Sequence, residues 1–265
     1  CFMNKKINEL IKDSDKKTLA VYFILRFLVI AVMIIQIFHH NWQDVFLCFL
    51  TLVLFIIPFI IDHRFKIDLP TPLEIIILLF IFSAEILGEI QNFYGQIPSW
   101  DTMLHTINGF LCGAIGFSMI DILNRNEKLH ITLTPIFVAF VGFCFSMTIG
   151  VLWEFFEFSG DQLLQMDMQK DRIVETVSTV YLNQEGKNVP VIIDNIDHTT
   201  IYYFENDEMK EITIDGYLDV GIIDTMKDLL VNFIGAICFS FIGYWYINNR
   251  DKYKLAGNFI PKLRK

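Results

Sequence analysis

Apolar residues in this chain are gathered into six long blocks separated by polar connections, of which only one is long. The blocks run over Thr18–Phe38, Val45–Ile61, Leu73–Glu89, Asp101–Leu123, Ile131–Phe158 and Ile222–Ile247. A helix needs about 20 apolar residues to cross a hydrocarbon core of about 30 Å, and each block approaches or exceeds that length. The pattern predicts an all-α integral membrane bundle of about six transmembrane helices. The long connection, residues 159–221, is polar and alternates over Val189–Ile193, Thr199–Phe204 and Glu211–Ile214. Alternation of that kind predicts a small insertion outside the membrane with some β-strand, built as hairpins. The chain therefore divides into an N-terminal segment 1–17, five helices over 18–158, the insertion 159–221, a sixth helix over 222–247 and a tail 248–265. No internal repeat or low-complexity tract interrupts this order.

Composition supports the membrane reading. Of 265 residues 54% are apolar, and a mean hydropathy of +0.46 excludes an ordinary soluble domain. Positive charge then orients the helices. Lys5, Lys6, Lys12, Lys16 and Lys17 precede the first block, Arg64 and Lys66 follow the second, and Arg125 and Lys128 follow the fourth. Arg250, Lys252, Lys254, Lys262, Arg264 and Lys265 fill the tail. The alternate connections, 39–44 and 91–100, carry no Lys or Arg. Both termini are thus expected in the cytoplasm, in a multi-pass protein of the bacterial cytoplasmic membrane. The insertion faces outward, and its 13 acidic against 4 basic residues carry the net charge of −9. That acidity reads first as solubility and gives no surface for nucleic acid. The five cysteines suggest no disulfide framework, because Cys48, Cys112, Cys144 and Cys238 sit within apolar blocks. Met3 reads as the natural start, with a lipid-modified Cys1 as the sharper alternative, and no cleavable signal peptide is expected.

Orientation places the ionisable residues in depth. Glu85, Glu89, Asp101, His105, Glu154, Glu157, Asp161, Asp224 and Asp228 all fall at the outer ends of four helices. At 3.6 residues per turn Asp101 shares a face with His105, and Asp224 with Asp228 and Asn232. Glu154, Glu157 and Asp161 share a face of the fifth helix. An acid in hydrocarbon costs several kcal/mol unless it is paired, protonated or metal-bound. Lys227 is the one basic residue close by in sequence, so protonation or a bound cation remains. Carboxylates and an imidazole converging from several helices are how bundles build metal sites. Plainer roles compete: Asp101 and Asp224 fit helix N-caps, while Glu85, Glu89, Asp161 and Asp219 fit interfacial surface charges. Gly109 and Gly235 suit close helix approach.

Three stretches, Trp100-Asp101-x-x-x-His105-x-x-x-Gly109, Glu154-x-x-Glu157 and Asp224-x-x-x-Asp228-x-x-x-Asn232-x-x-Gly235, together resemble the pattern of VanZ-like and YjdF-type bacterial membrane proteins. The resemblance covers three helices, somewhat under half the chain. VanZ-like proteins are associated with resistance to the glycopeptide teicoplanin, and the resemblance implies the Asp and His positions as site residues. The long insertion departs from a compact VanZ-like protein.

These readings converge on a membrane-embedded, metal-dependent enzyme with an outward-facing site, acting on a lipid or lipid-linked envelope substrate. Asp101, His105, Glu154, Glu157, Asp224 and Asp228 are the expected ligands of one or two divalent cations, Zn²⁺, Mg²⁺ or Mn²⁺. Asp161 or Glu157, left outside the ligand set, would move protons. The alternatives are a cation- or proton-binding transporter or sensor without turnover, and a resistance factor that binds an envelope component.

Overall fold

In a computed structural model, residues 16–64, 67–124, 132–249, 260 and 262–263 are described, and every structural statement below concerns these. The basic flanks at 1–15, 65–66 and 125–131, most of the tail, and the question of Cys1 lie outside them. The chain forms two compact units: one holds the residues up to Leu152 and those from Asp228 on, the other is Trp153–Lys227.

The larger unit is helical. Helix α1 spans Lys16–Phe38, α2 Trp42–Leu54 and α3 Ile57–Arg64. Their burial is inverted relative to a soluble bundle: Phe27 and Phe38 of α1 are 71% and 80% exposed, whereas Leu25 and Val29 are buried. Large apolar side chains facing outward are what a lipid solvent requires. Asn41 caps α2 by accepting from the Asp44 amide. The apolar run predicted over Val45–Ile61 is interrupted at Phe55–Ile56, where α2 gives way to α3 through a turn. Trp42–Ile61 as a whole remains long and apolar enough to span.

A two-residue strand, β1 (Ile67–Asp68), leads to α4 (Thr71–Phe82), which opens on extended Pro70 with a second proline in its first turn. Pro fits there because the first amides of a helix have no partner within it. From Ser83 to Ile90 the helix widens to π geometry, and it ends at Asn92 in the left-handed region. Glu85, for which an interfacial surface charge is the plainer of two readings of the sequence, is 3% exposed, and its Oε2 makes no hydrogen bond. The change of pitch at residue 83 turns this acid inward, and sequence periodicity does not report it.

After the short α5 (Phe93–Gln96) come the three long helices: α6 (Trp100–Asn124), α7 (Pro135–Leu164) and, beyond the insertion, α8 (Ile222–Asn248). Five helical stretches are long and apolar enough to cross a membrane: α1, Trp42–Ile61, α6, α7 and α8. The remaining predicted block, Leu73–Glu89, corresponds to the 20 helical residues Thr71–Ile90, α then π. Strand β8 (Lys262–Leu263) pairs antiparallel with β1.

Helices α6 and α8 cross at van der Waals contact of their backbones. A Cβ on Gly109 would lie 2.1 Å from the Asn232 carbonyl oxygen, and one on Gly235 would lie 2.0 Å from that of Thr106. Below the crossing Phe239 packs edge-on against Phe110 and Phe117, with centroids 5.1 and 5.7 Å apart. Helix α7 joins through Phe143 on Phe233, and through Ser240 Oγ donating to the Ala139 carbonyl at 3.2 Å.

In the second unit, Ile173–Val174 (β2) pairs with Tyr217–Leu218 (β7), and Val177–Thr179 (β3) with Val191–Ile193 (β4). The longest ladder joins His198–Glu205 (β5) to Glu208–Asp215 (β6). All three are antiparallel. The two-residue turn between β5 and β6, Asn206-Asp207, has φ of 53° and 64°. Positive φ at both positions matches the twist of a tight hairpin and suits Asn and Asp. Three strands fall on the predicted stretches, while β2, β3 and β7 are two or three residues long, too short for alternation to reveal.

Candidate functional site

Helix α6 starts where Ser99, at φ 66°, breaks the preceding chain and accepts the Met103 amide. Asp101 therefore sits in the first turn, where a negative charge complements the helix dipole. His105 follows one turn later on the same face. The glycine crossing just below brings α8 close enough for Asp228 to meet that face. His105 Nε2 is 3.4 Å from Asp101 Oδ1 and 3.7 Å from Asp228 Oδ2. One ligand atom from each residue falls within 4.8 Å of the others. Asp228 and His105 are buried and Asp101 partly so. Both separations exceed the 2.7–2.9 Å of a direct charge-assisted hydrogen bond.

One turn deeper lies a layer of uncharged polar groups. Asn108 Nδ2 donates to Asn232 Oδ1 at 3.1 Å, and Asn232 is 1% exposed. Asn232 Nδ2 faces Met147 Sδ at 3.6 Å, and Ser146 Oγ donates to the Gly109 carbonyl at 2.7 Å. All three long helices contribute to this layer. Cys112 Sγ lies 3.5 Å from Asn108 Oδ1. Beyond it the same face of α6 continues with Ile115 and Met119, which pack into the apolar core.

The remaining expected residues belong to the Trp153–Lys227 unit. Glu154 is 4% exposed there. Glu157 accepts the Trp153 indole N–H at 2.8 Å. Asp161 accepts the Met168 and Gln169 amides at 2.6 and 2.9 Å, one on each oxygen. Asp224 accepts the Lys170 amide at 3.0 Å and pairs with Arg172 at 3.4 Å. Arg172 is thus the cation that sequence proximity, which offered Lys227, did not supply. Asp219 accepts the Arg172 and Ile223 amides at 2.6 and 2.9 Å. Burial alone would raise the Asp219 pKa, but the amides of Arg172, Ile223 and Gly221 outweigh it and hold the carboxyl below its ordinary value. Asp171 moves the other way, raised by burial and then by the charges of Asp167, Asp219 and Asp161. Asp161, Asp219 and Asp224 between them fasten the segment 168–172.

A family profile described as "Predicted membrane protein (DUF2238)" matches residues 21–249. The chain belongs to this family. The match runs from within α1 past the end of α8 and takes in Asp101, His105 and Asp228. An "Uncharacterized protein" of Thermotoga maritima is 27% identical over 108 residues, covering 40% of this chain and 53% of that protein. The match therefore spans about half the length of that relative. No solved structure matches the chain.

Sequence reasoning passed over Asp121. It lies near the far end of α6 from Asp101 and is 2% exposed. Its signal was present, a carboxylate within an apolar block, but it stands at the opposite end of the helix from the acidic cluster.

Proposed function

We propose that the chain is a metal-dependent enzyme of the bacterial cytoplasmic membrane, with Asp101, His105 and Asp228 holding a divalent cation. The observation that carries the reading is the spacing of the three ligand atoms. A cation bound at about 2.0–2.2 Å in tetrahedral or octahedral geometry sets adjacent ligand atoms about 3.0–3.5 Å apart. Separations of 3.4 and 3.7 Å suit that need better than they suit direct hydrogen bonds. Two carboxylates with an imidazole favour Zn²⁺ or Mn²⁺ over Mg²⁺, which prefers oxygen ligands. Such a cation polarises a phosphoryl or acyl oxygen, or lowers the pKa of a bound water.

The substrate we propose is a lipid or lipid-linked envelope component. Met103 on α6 and Leu230 on α8, each two residues from a ligand, are exposed apolar positions. Two residues along a helix is a rotation of about 200°, so these positions mark the backs of α6 and α8, and the ligand-bearing helices border lipid on that side. The resemblance to VanZ-like and YjdF-type proteins points the same way, toward the envelope. Thr71–Ile90 serves as a sixth crossing, which keeps both termini cytoplasmic and opens the site outward. Glu154, Glu157, Asp161 and Asp224 are left out of the ligand set, and the last three are engaged in the contacts described above.

Metal analysis of protein purified in mild detergent tests the proposal. About one equivalent of Zn or Mn per chain, lost in His105→Ala, supports it. A metal-free native protein that takes up neither ion refutes it.

A further inference from the structure

We infer that Asn232 is a positioning residue. Through its hydrogen bond to Asn108 it fixes the spacing of α6 and α8, and with it the separation of His105 from Asp228. The inference rests on the cation site proposed above, and its test is built so that the two fail separately.

Asn232 lies four residues after Asp228, and Asn108 three residues after His105. The amide pair is therefore the next rung below the His105–Asp228 contact, between the same two helices. At 3.1 Å it is a true hydrogen bond, whereas the rung above, at 3.7 Å, is not. The Asn232 main chain is held as well, since its carbonyl oxygen rests against Gly109. A Cβ on Gly150 of α7 would lie 2.7 Å from Asn232 Nδ2, so the third helix walls in the same side chain. An amide with 1% exposure between apolar helices is costly unless its hydrogen bonds are made. That cost penalises any relative movement of α6 and α8 that would lengthen the Asn108–Asn232 bond. The glycine contacts stop the helices from closing further, and the amide bond stops them from parting. The ligand separation is set between these two limits.

The test uses full-length protein with Asn232→Leu, branched at the same atom but bulkier and unable to bond, and Asn108→Ala as a second route to the same loss that adds no bulk. Ser240→Ala is the control, because it removes a partly buried interhelical hydrogen bond of α8 to a different helix, α7, well below the site. Two quantities are read: Zn²⁺ affinity, and the side-chain ¹⁵N resonance of His105 in metal-free protein, assigned by its loss in His105→Ala. Groups that orient metal ligands typically contribute about 10–100-fold in affinity. Asn232→Leu and Asn108→Ala are expected to weaken Zn²⁺ by about that factor and to shift the His105 resonance, while Ser240→Ala does neither. Should both variants leave the resonance unchanged, or Ser240→Ala move it equally, the positioning role is overturned. If the native protein ignores Zn²⁺ but the resonance still moves in both variants and not in the control, the cation site fails and the positioning role stands.

Discussion

Replacing Gly109 by alanine tests the helix crossing on which the site depends. The new Cβ would lie 2.1 Å from the Asn232 carbonyl oxygen, where carbon and oxygen approach no closer than about 3.3 Å. Helices α6 and α8 must then part by about 1 Å, because the obstructing atom is backbone and has no rotamer to change. Overpacking of this kind costs about 1–3 kcal/mol, toward the upper end when main chain must move. Alanine returns up to about 1 kcal/mol of helix propensity, leaving a net loss of about 2 kcal/mol. Gly113, one turn along the same helix, supplies the comparison. Its added Cβ would meet Phe239 Cβ at 3.4 Å, an ordinary contact, so Gly113→Ala keeps the propensity gain. For a chain of this size a loss of about 2 kcal/mol lowers the melting temperature by about 4–8 °C. Thermal unfolding of the two variants in one detergent, followed by intrinsic fluorescence, measures the difference. Gly109→Ala is expected to melt clearly below native and Gly113→Ala at or above it. If Gly109→Ala proves as stable as Gly113→Ala, the close crossing is refuted, and the placing of His105 against Asp228 with it.

Two further outcomes follow from the charge distribution. A cysteine introduced at Asn195 should react with a membrane-impermeant thiol reagent on intact cells, and one at Arg264 should not; the opposite pattern inverts the proposed orientation. Asp219, whose folded pKa lies below its ordinary 3.8, contributes stability above that ordinary value and loses it as pH falls through the lower, folded pKa. Asp171, raised on folding, has the opposite sign and weakens the fold as pH rises through its shifted pKa. Asp219→Asn should therefore speed hydrogen exchange at the Arg172 and Ile223 amides at neutral pH. At a pH low enough to protonate Asp219 in the native protein the difference should vanish, and equal exchange at both pH values contradicts the assignment.

The apolar blocks were legible because a membrane span is written locally: some twenty apolar residues suffice, whatever they pack against. The pairing of Asp101 with His105 was legible for the same reason, since one helix turn fixes it. Gly109 and Gly235 announced a close approach without saying that they meet each other's helices at Thr106 and Asn232. What stayed hidden depends on a change of pitch or on distant sequence. Glu85 turns inward because the helix widens at Ser83, and a 3.6-residue period cannot report that. Arg172 reaches Asp224 across 52 residues, and Asp161 is occupied by amides of a loop with no motif of its own. Acidic residues that look alike in sequence thus divide, by partner, into three that fasten a loop and two that face an imidazole.

Binding of a divalent cation is the central claim, and equilibrium titration of purified protein with Zn²⁺ and Mn²⁺ measures it most directly, with melting temperature as the linked readout. Binding to the folded state alone stabilises it by about 2.7 kcal/mol at a free concentration 100-fold above Kd. Native protein should bind about one ion per chain and melt at rising temperature as metal is added. His105→Ala and Asp228→Asn should lose both responses, and Glu74→Gln, in the first turn of α4, should keep both. Native protein that binds neither ion, or variants that bind as native does, would contradict the account.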